Sequence, residues 1–178
     1  MMRKNIILIG MKGCGKSTVG KLLARKLAVG FIELDNEIEK THFVDKKEQL
    51  TFREIFKKHG GEYFRSLENN VLKNIVRKAE NNKFVLACGG GTPLNVNNQI
   101  LLRQLGKVIY LDVDKKVLLQ RTLKDGIPAF FPYPDDPEKS LAKLLEKRRP
   151  IYKKAAQKII RLTKEKPEEI VNQIINLM

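Results

Sequence analysis

The feature that most constrains the fold is a glycine-rich stretch between an apolar run and a helical pattern. Gly10–Ser17 reads Gly-Met-Lys-Gly-Cys-Gly-Lys-Ser and fits the pattern G-x-x-x-x-G-K-[ST]. It follows the β-branched run Asn5–Ile9 and overlaps the start of Lys16–Leu27, whose apolar residues recur at helical spacing. A strand, a glycine-rich turn and a helix in this order predict a loop whose backbone N–H groups converge on phosphate oxygens. We call Gly10–Ser17 the phosphate loop.

The phosphate loop predicts a site for ATP with Mg²⁺. The glycines let the backbone curl, and the positive end of the helix that begins at Lys16 attracts phosphate. Lys16 is predicted to contact the β- and γ-phosphates and so to be a catalytic residue. The Ser17 hydroxyl is predicted to bind Mg²⁺. The alternative is a glycine-rich strand–helix turn with a chance lysine. The predicted nucleotide-binding residues in this segment are Gly13, Cys14, Gly15, Lys16, Ser17 and Thr18.

Apolar runs along the rest of the chain predict one α/β domain over residues 1–178. Besides Asn5–Ile9, strands are expected at 31–34, 84–87, 107–111 and 158–162. Helices are expected at 16–27, from a capping box at 51–54, and at 62–81, 95–105, 115 onward, 137–149 and 167–177. Strands that alternate with helices predict a parallel sheet covered on both faces. The predicted architecture is a three-layer P-loop fold with five strands. The segment 124–136, rich in proline and aromatic residues, is predicted to be a mobile lid.

Composition excludes several classes of protein. Lys and Arg number 35 against 20 Asp and Glu, and the net charge of +15 favours anionic partners, although a lysine-rich surface is an equally simple cause. The lysines form no block and no base-stacking motif is present, so a nucleic-acid-binding ATPase is only an alternative and no nucleic acid partner is expected. The longest apolar run, Ile6–Ile9, is too short to span a membrane, and the start of the chain has no cleavage site of a signal peptide. We therefore expect a cytoplasmic protein without membrane contact.

The cysteines and histidines are not expected to form sites. Cys14 and Cys88 make neither a disulfide framework nor a zinc site. His42 and His59 lie in helical, lysine-rich surroundings. They are expected to be surface or packing residues, with no metal constellation near them.

Four further segments point to a family. The segment Phe-Ile-Glu-Leu-Asp-Asn-Glu-Ile-Glu-Lys at 31–40 resembles the stretch after the second strand of shikimate kinases. Similar matches to that family are Ile55-Phe56 with Gly60, Phe64-Arg65 and Glu68, then 86–91, and Arg-x-Pro-x-Tyr within 148–152. The resemblance implies Mg²⁺-dependent transfer of phosphoryl from ATP to shikimate, giving shikimate 3-phosphate. It also implies a monomer, with substrate-binding helices at about 36–70.

Two carboxylates lie at the end of the predicted second strand, Glu33 within it and Asp35 just past it, where ligands of open α/β sheets bind. Asp35 at this place can accept the proton of an attacking hydroxyl or orient that hydroxyl, or it can be a helix N-cap. The resemblance implies that Asp35 holds substrate hydroxyls as a catalytic and substrate-binding residue. It also implies that Glu33 touches the metal shell through water, although the family usually has Asp at this position.

Arginines and glycines complete the predicted site. A guanidinium group presents a planar fork of N–H donors that matches the two oxygens of a carboxylate. The resemblance implies that Arg65 and Arg148 clamp the substrate carboxylate in this way. Ordinary surface arginines are the alternative. The glycines that follow the third strand allow close approach of backbone N–H groups to a ligand, or form a plain tight turn. Residues that the resemblance further assigns are Gly89, Gly90 and Gly91 for substrate, and Arg121 and Arg161 for nucleotide.

The lid departs from the family pattern. Shikimate kinases carry Arg-Pro-Leu-Leu there, but this chain has Ile127 before Pro128. An arginine aimed at the transferring phosphoryl group can be worth about 10³–10⁵ in rate. Lys12 or Lys124 can replace the charge, the enzyme can be slow, or the lid can serve another small hydroxy acid or a nucleotide. An inactive P-loop scaffold is a further alternative.

Overall fold

The fold is built on one parallel sheet. The computed structural model describes residues 5–79, 82–124, 126–128 and 130–178. Its strands run in the order β2-β3-β1-β4-β5, and every neighbouring pair is parallel. The strands are β1 (Asn5–Ile9), β2 (Gly30–Glu33), β3 (Phe84–Ala87), β4 (Gly106–Val113) and β5 (Lys158–Leu162). The predicted five-stranded parallel sheet is confirmed.

Helices connect the strands, as parallel pairing requires. Helix α1 packs against α7, and α3 packs against α4. A 3₁₀ turn at Thr92–Leu94 precedes α4. The helices are α1 (Lys16–Leu27), α2 (Leu34–Lys46), α3 (Phe52–Lys78), α4 (Val96–Leu105), α5 (Lys115–Leu123), α6 (Pro137–Ala155) and α7 (Pro167–Asn176). The predicted α/β class is therefore confirmed, and no helix among the described residues is long and apolar enough to cross a bilayer.

The core lies around the central strands. All residues of β1 and β3 are buried, as expected for strands covered on both faces. Ile7 of β1 is in register with Leu86 of β3 on one side and with Val108 of β4 on the other. This register brings the carboxyl ends of β1, β2 and β3 to one edge of the sheet. The loops at that edge carry the predicted site residues.

Some predicted boundaries are wrong. Strand β2 ends at Glu33, because Leu34 is fully buried as the first residue of α2. Strand β4 extends to both sides of the predicted 107–111, since it pairs with β1 from Gly106 and with β5 up to Val113. Helix α6, predicted to stop before Pro150, continues to Ala155.

Burial explains why α6 passes through a proline. Pro150 removes one backbone donor and normally ends or kinks a helix. One turn further on, Tyr152 and Ala155 are almost fully buried, and Tyr152 donates a hydrogen bond of 2.6 Å to the Gly90 carbonyl. Tertiary packing of this turn outweighs the lost backbone bond.

Helix α3 contains a predicted break. Its capping box at Thr51 and Glu54 is present as expected, and Gly60 interrupts the helix with φ 83° and ψ 167°. A positive φ favours glycine, so the chain can turn here without strain. Some predicted features lie outside the described residues, namely the start of the chain at 1–4, the end of the long helix at 80–81, and lid positions 125 and 129.

Candidate active site

The phosphate loop connects β1 to α1 in the conformation that the motif predicts. Gly13 and Gly15 have φ of 82° and 92°, so both occupy the left-handed region that favours glycine. Gly15 is the N-cap of α1, and no acidic residue lies in the first turn of that helix. The positive helix end therefore keeps its attraction for anions. Thr122 of α5 donates a hydrogen bond of 3.3 Å to the Lys12 carbonyl and holds the loop from the other side.

Lys16 lies folded over the phosphate loop. Only 8% of the residue is exposed, and its Nζ donates hydrogen bonds of 3.0 Å to Gly10 O and 2.9 Å to Met11 O. The ammonium group is thus held where phosphate oxygens are predicted to bind. Ser17 and Thr18 follow in the first turn of α1, with Ser17 partly buried and Thr18 exposed.

Asp35 lies in the first turn of α2 and is not its N-cap. The N-cap is Glu33, whose side chain makes no capping hydrogen bond. Burial raises the pKa of Asp35 to about 6, opposed by Lys16 and aided by the charges of Glu33 and Glu68. A carboxyl group with a pKa near neutrality suits a proton acceptor. The N-cap interpretation of Asp35 is therefore wrong.

Arg65 is held by a buried carboxylate that the sequence reasoning left without a role. Its Nη1 donates a hydrogen bond of 2.8 Å to Glu68 Oε2, and only 1% of Glu68 is exposed. Thr92 Oγ1 donates to Glu68 Oε1 at 2.7 Å, and Asn98 Nδ2 donates to Oε2 at 3.0 Å. The spacing of Arg65 and Glu68, three residues apart on one helix, is the signal that predicts this pair.

The turn after β3 joins these parts. A Cβ on Gly89 would lie 2.9 Å from Asp35 Oδ1, and one on Gly90 would lie 3.3 Å from the Lys12 backbone nitrogen. Gly91 faces the guanidinium group of Arg65. Absence of side chains at this turn therefore lets the phosphate loop, the carboxyl group and the arginine come close together.

Helix α6 brings Arg148 to the same group of residues. Arg148 Nη1 lies 3.8 Å from Met11 Sδ, and its guanidinium carbon lies 5.7 Å from the centroid of the Phe130 ring. Tyr152, one turn later, anchors the helix to Gly90 O. From the sequence, this tyrosine is noted only as the last residue of the Arg-x-Pro-x-Tyr match. The structure thus brings together Lys16, Asp35, Arg65, Gly89, Gly90, Gly91 and Arg148.

Comparisons with known proteins agree with this arrangement. The family model for shikimate kinase matches residues 12–178. A shikimate kinase of Sulfurihydrogenibium is 36% identical over 172 residues, covering 97% of this chain and 96% of the relative. One of Francisella philomiragia is 39% identical over 171 residues, covering 96% and 92%. The chain belongs to the shikimate kinase family.

Solved structures of the family have the same fold. A structure described as shikimate kinase from Acinetobacter baumannii in complex with shikimate superposes with a TM-score of 0.86 at 33% identity, covering 99% of this chain and 93% of that one. Shikimate kinase from Aquifex aeolicus gives 0.75 at 34% identity, covering 97% and 94%. The predicted family, P-loop fold and kinase class are confirmed, and family membership implies use of ATP.

Two predicted nucleotide-binding residues and one residue of the predicted lid are not part of the group described above. A Cβ on Gly13 would lie 3.6 Å from Arg121 Cβ, so Arg121 flanks the phosphate loop. Arg161 is exposed on the edge strand β5, in register with Asp112. Ile127 of the lid is 54% exposed. The roles of these residues stay predictions.

A packing role is confirmed for His42, but the expectation that no metal constellation lies near the histidines is wrong. His42 is fully buried, and His42, Glu48 and His59 place their ligand atoms within 4.8 Å of one another. The lysine-rich sequence around them hides this cluster, because the helical hairpin formed by α2 and α3 brings them together only in the fold.

Proposed function

We propose that this chain transfers the γ-phosphoryl group of ATP to a hydroxyl group of shikimate, giving ADP and shikimate 3-phosphate. One observation carries the proposal. The structure gathers a carboxyl group, Asp35, and two guanidinium groups, Arg65 and Arg148, around a side-chain-free turn beside the phosphate loop. Shikimate is a hydroxylated acid, so its hydroxyl groups and its carboxylate need these two kinds of partner.

On the nucleotide side, the phosphate loop binds the phosphates through its N–H groups. Lys16 leaves the carbonyls of Gly10 and Met11 and contacts the β- and γ-phosphates. Its positive charge stabilises the charge that develops on the transferred group. Gly13 to Thr18, with Arg121 and Arg161, are the proposed nucleotide-binding residues.

The residues at the phosphate loop fit Mg²⁺. Mg²⁺ prefers hard oxygen ligands and keeps several of its waters. The Ser17 hydroxyl, partly buried in the first turn of α1, is the proposed direct ligand, and the Glu33 carboxylate at the end of β2 is the proposed partner of a bound water. When bound, Mg²⁺ neutralises phosphate charge.

On the substrate side, Arg65 and Arg148 hold the carboxylate, and Gly89 to Gly91 contribute backbone N–H groups. Asp35 orients the attacking hydroxyl and accepts its proton above about pH 6, where the carboxylate is ionised. The hydroxyl oxygen forms a bond to the γ-phosphorus as the bond to the β-phosphate oxygen breaks. The segment 124–136 is proposed to cover the phosphates and exclude water.

A second candidate is phosphorylation of another small hydroxy acid or a nucleotide. Ile127, exposed where relatives in the family place arginine, favours it. No base-reading pocket is identified from the sequence, which makes a nucleotide the weaker choice.

The test is ADP release in a coupled assay with MgATP, shikimate, and a panel of other hydroxy acids and nucleoside monophosphates. We expect turnover with shikimate only, and its dependence on added Mg²⁺ tests the metal. Turnover with another panel member and none with shikimate would replace the substrate. A salt-dependent gel shift addresses the charge of +15, since nanomolar nucleic acid binding at physiological salt would revive that class.

A further inference from the structure

A cluster outside the candidate active site brings two imidazoles to one carboxylate. Glu48 lies between α2 and α3, and its Oε2 is 3.2 Å from His42 Nε2 and 2.8 Å from His59 Nε2. Three different segments therefore meet at one point: α2, the connection after it, and α3 just before Gly60. We call His42, Glu48 and His59 the hairpin triad.

We propose that the hairpin triad is a binding site for a divalent transition-metal ion of the zinc type. Two imidazole nitrogens and one carboxylate oxygen form the donor set of three-ligand zinc sites, whose fourth position is taken by water. The site is distinct from the proposed Mg²⁺ site, because imidazole suits Zn²⁺, Co²⁺ or Ni²⁺ and all-oxygen sets suit Mg²⁺.

The distances between the donor atoms are near those of a zinc site. Zinc–nitrogen bonds of about 2.0–2.1 Å in a tetrahedron hold the donor atoms about 3.4 Å apart. The two donor distances to Glu48 Oε2 are slightly shorter than that, and all three donor atoms lie within 4.8 Å of one another. Only a small movement of the carboxylate is needed to admit an ion.

Groups around the triad orient it for this role. Ligating histidines usually bond their second ring nitrogen to a neighbouring group, which fixes the ring. Here the Tyr63 hydroxyl lies 2.9 Å from His42 Nδ1, and its oxygen can accept a hydrogen bond from Nδ1–H when Nε2 binds an ion. Lys58 donates to Glu48 Oε1 at 3.0 Å, which leaves Oε2 for the ion.

The three proposed ligands differ in how far their side chains are exposed to solvent. The His42 side chain is 0% exposed, that of His59 is 22% exposed and that of Glu48 is 31% exposed. The buried histidine fixes the bottom of the site, and the other two ligands leave a side open to solvent for entry of the ion and for a bound water. A bound ion would join α2 to α3, the hairpin that also carries Asp35 and Arg65.

The experiment is competition for Zn²⁺ between a chromogenic chelator and the full chain, free of any polyhistidine tag and of ATP and Mg²⁺. We expect one Zn²⁺ per chain, with affinity at least about tenfold lower in His59→Ala and in Glu48→Gln. Glu37→Gln, which changes a partly exposed carboxylate on α2 outside the triad, is the matched control and is expected to bind as the unaltered chain does. No binding by the unaltered chain, or triad variants that bind Zn²⁺ as tightly as the unaltered chain, would overturn the proposal.

Two further measurements test whether the ion binds at the hairpin triad. The visible spectrum of the Co²⁺-loaded chain is expected to show nitrogen and oxygen ligation, and thiolate bands from Cys14 or Cys88 would place the ion elsewhere. Zn²⁺ is expected to raise the Tm of the unaltered chain and of Glu37→Gln but not of His59→Ala. These readouts do not use catalysis, so their failure would leave the proposed phosphoryl transfer untouched.

Discussion

The floor of the candidate site and its lid differ in how their side chains are held. The floor consists of Lys16, Asp35, Arg65 and Gly89–Gly91. Within it, Lys16 bonds to backbone carbonyls and Arg65 bonds to the buried Glu68. In the predicted lid, 124–136, Ile127 and Phe130 are 54% and 40% exposed. It meets the substrate side of the site where the ring of Phe130 lies against Arg148.

This difference indicates which side chains can be substituted without destabilising the fold. A floor charge that loses its partner leaves another buried group unsatisfied, which is costly. An exposed lid side chain can be exchanged with little effect on the fold. An apolar residue at position 127 is therefore compatible with the family fold, and any charge it fails to supply has to come from the floor side.

The largest expected effect comes from the floor. Lys16→Met is expected to lower kcat by about 10³-fold or more, because the charge that stabilises the transferred group is removed. Steady-state kinetics with MgATP and shikimate measure it, and circular dichroism verifies that the variant folds. Lys21→Met, which alters an exposed lysine on the same helix, is the control. A Lys16→Met enzyme within tenfold of the parent would contradict the role.

Asp35 is expected to set the acidic limb of the pH profile. Its pKa of about 6 means that kcat/KM falls as the pH drops below that value, because the protonated group cannot accept a proton. Asp35→Asn is expected to lower kcat by about 10²–10⁴-fold and to remove this limb. Glu37→Gln serves as the control, and an acidic limb that persists in the residual activity of Asp35→Asn would assign it to another group.

The same pKa predicts a change in stability. The folded chain holds the Asp35 proton more tightly than the unfolded chain, so the free energy of unfolding falls as pH rises from about 4 to about 6. Above about pH 6 the full loss is present. Asp35→Asn lacks this loss and is expected to have a higher Tm than the parent at pH 8, with the difference shrinking toward pH 4. A lower Tm at pH 8 would mean that the carboxylate stabilises the floor.

The predicted carboxylate clamp gives a smaller effect. Arg148→Lys keeps the charge but loses the planar fork, and we expect the Kd for shikimate to rise about 10–100-fold. The Kd for ATP is expected to change less than threefold. Isothermal titration with each ligand measures both, and Arg53→Lys on an exposed position is the control. An equal rise for both ligands would indicate a general structural effect.

The sequence predicted the floor better than the elements that meet it. Gly10–Ser17 and the buried runs of β1 and β3 are local patterns. The order of residues within each segment is therefore enough to predict its strand, turn and helix. The course of α6 beyond Pro150 depends on where Tyr152 is buried, and the hairpin triad depends on how α2 packs on α3. Neither is encoded locally.

Glu68 shows the same limit inside the site. Its position on one helix face with Arg65 is readable from the sequence. That Thr92 and Asn98 also donate to it, and thereby hold the arginine, depends on the turn and helix that follow β3. Family resemblance supplied residue positions, and the fold supplied the partners.

The missing lid charge can be sought on the floor side. Lys12 is partly buried within the phosphate loop, and its carbonyl is held by Thr122, whereas Lys124 is exposed at the end of α5. We therefore expect Lys12→Met to lower kcat about tenfold through lost charge near the phosphates, and Lys124→Met to leave kcat unchanged. Single-turnover phosphorylation rates measure this step directly. Unchanged rates in both variants would exclude a lysine substitute and favour a slow enzyme or another substrate.

The smallest expected effect lies where lid and floor meet. An exposed cation–π contact is worth about 0.5–1 kcal/mol, so Phe130→Ala is expected to raise the Kd for shikimate about two- to fivefold by loosening Arg148. Phe43→Ala, at 49% exposure on α2, is the control for loss of an exposed ring. In the Arg148→Lys background the Phe130 effect is expected to shrink, since the guanidinium face that the ring contacts is gone. Additive effects in the double variant would show that the lid aromatic acts on the substrate independently of the clamp.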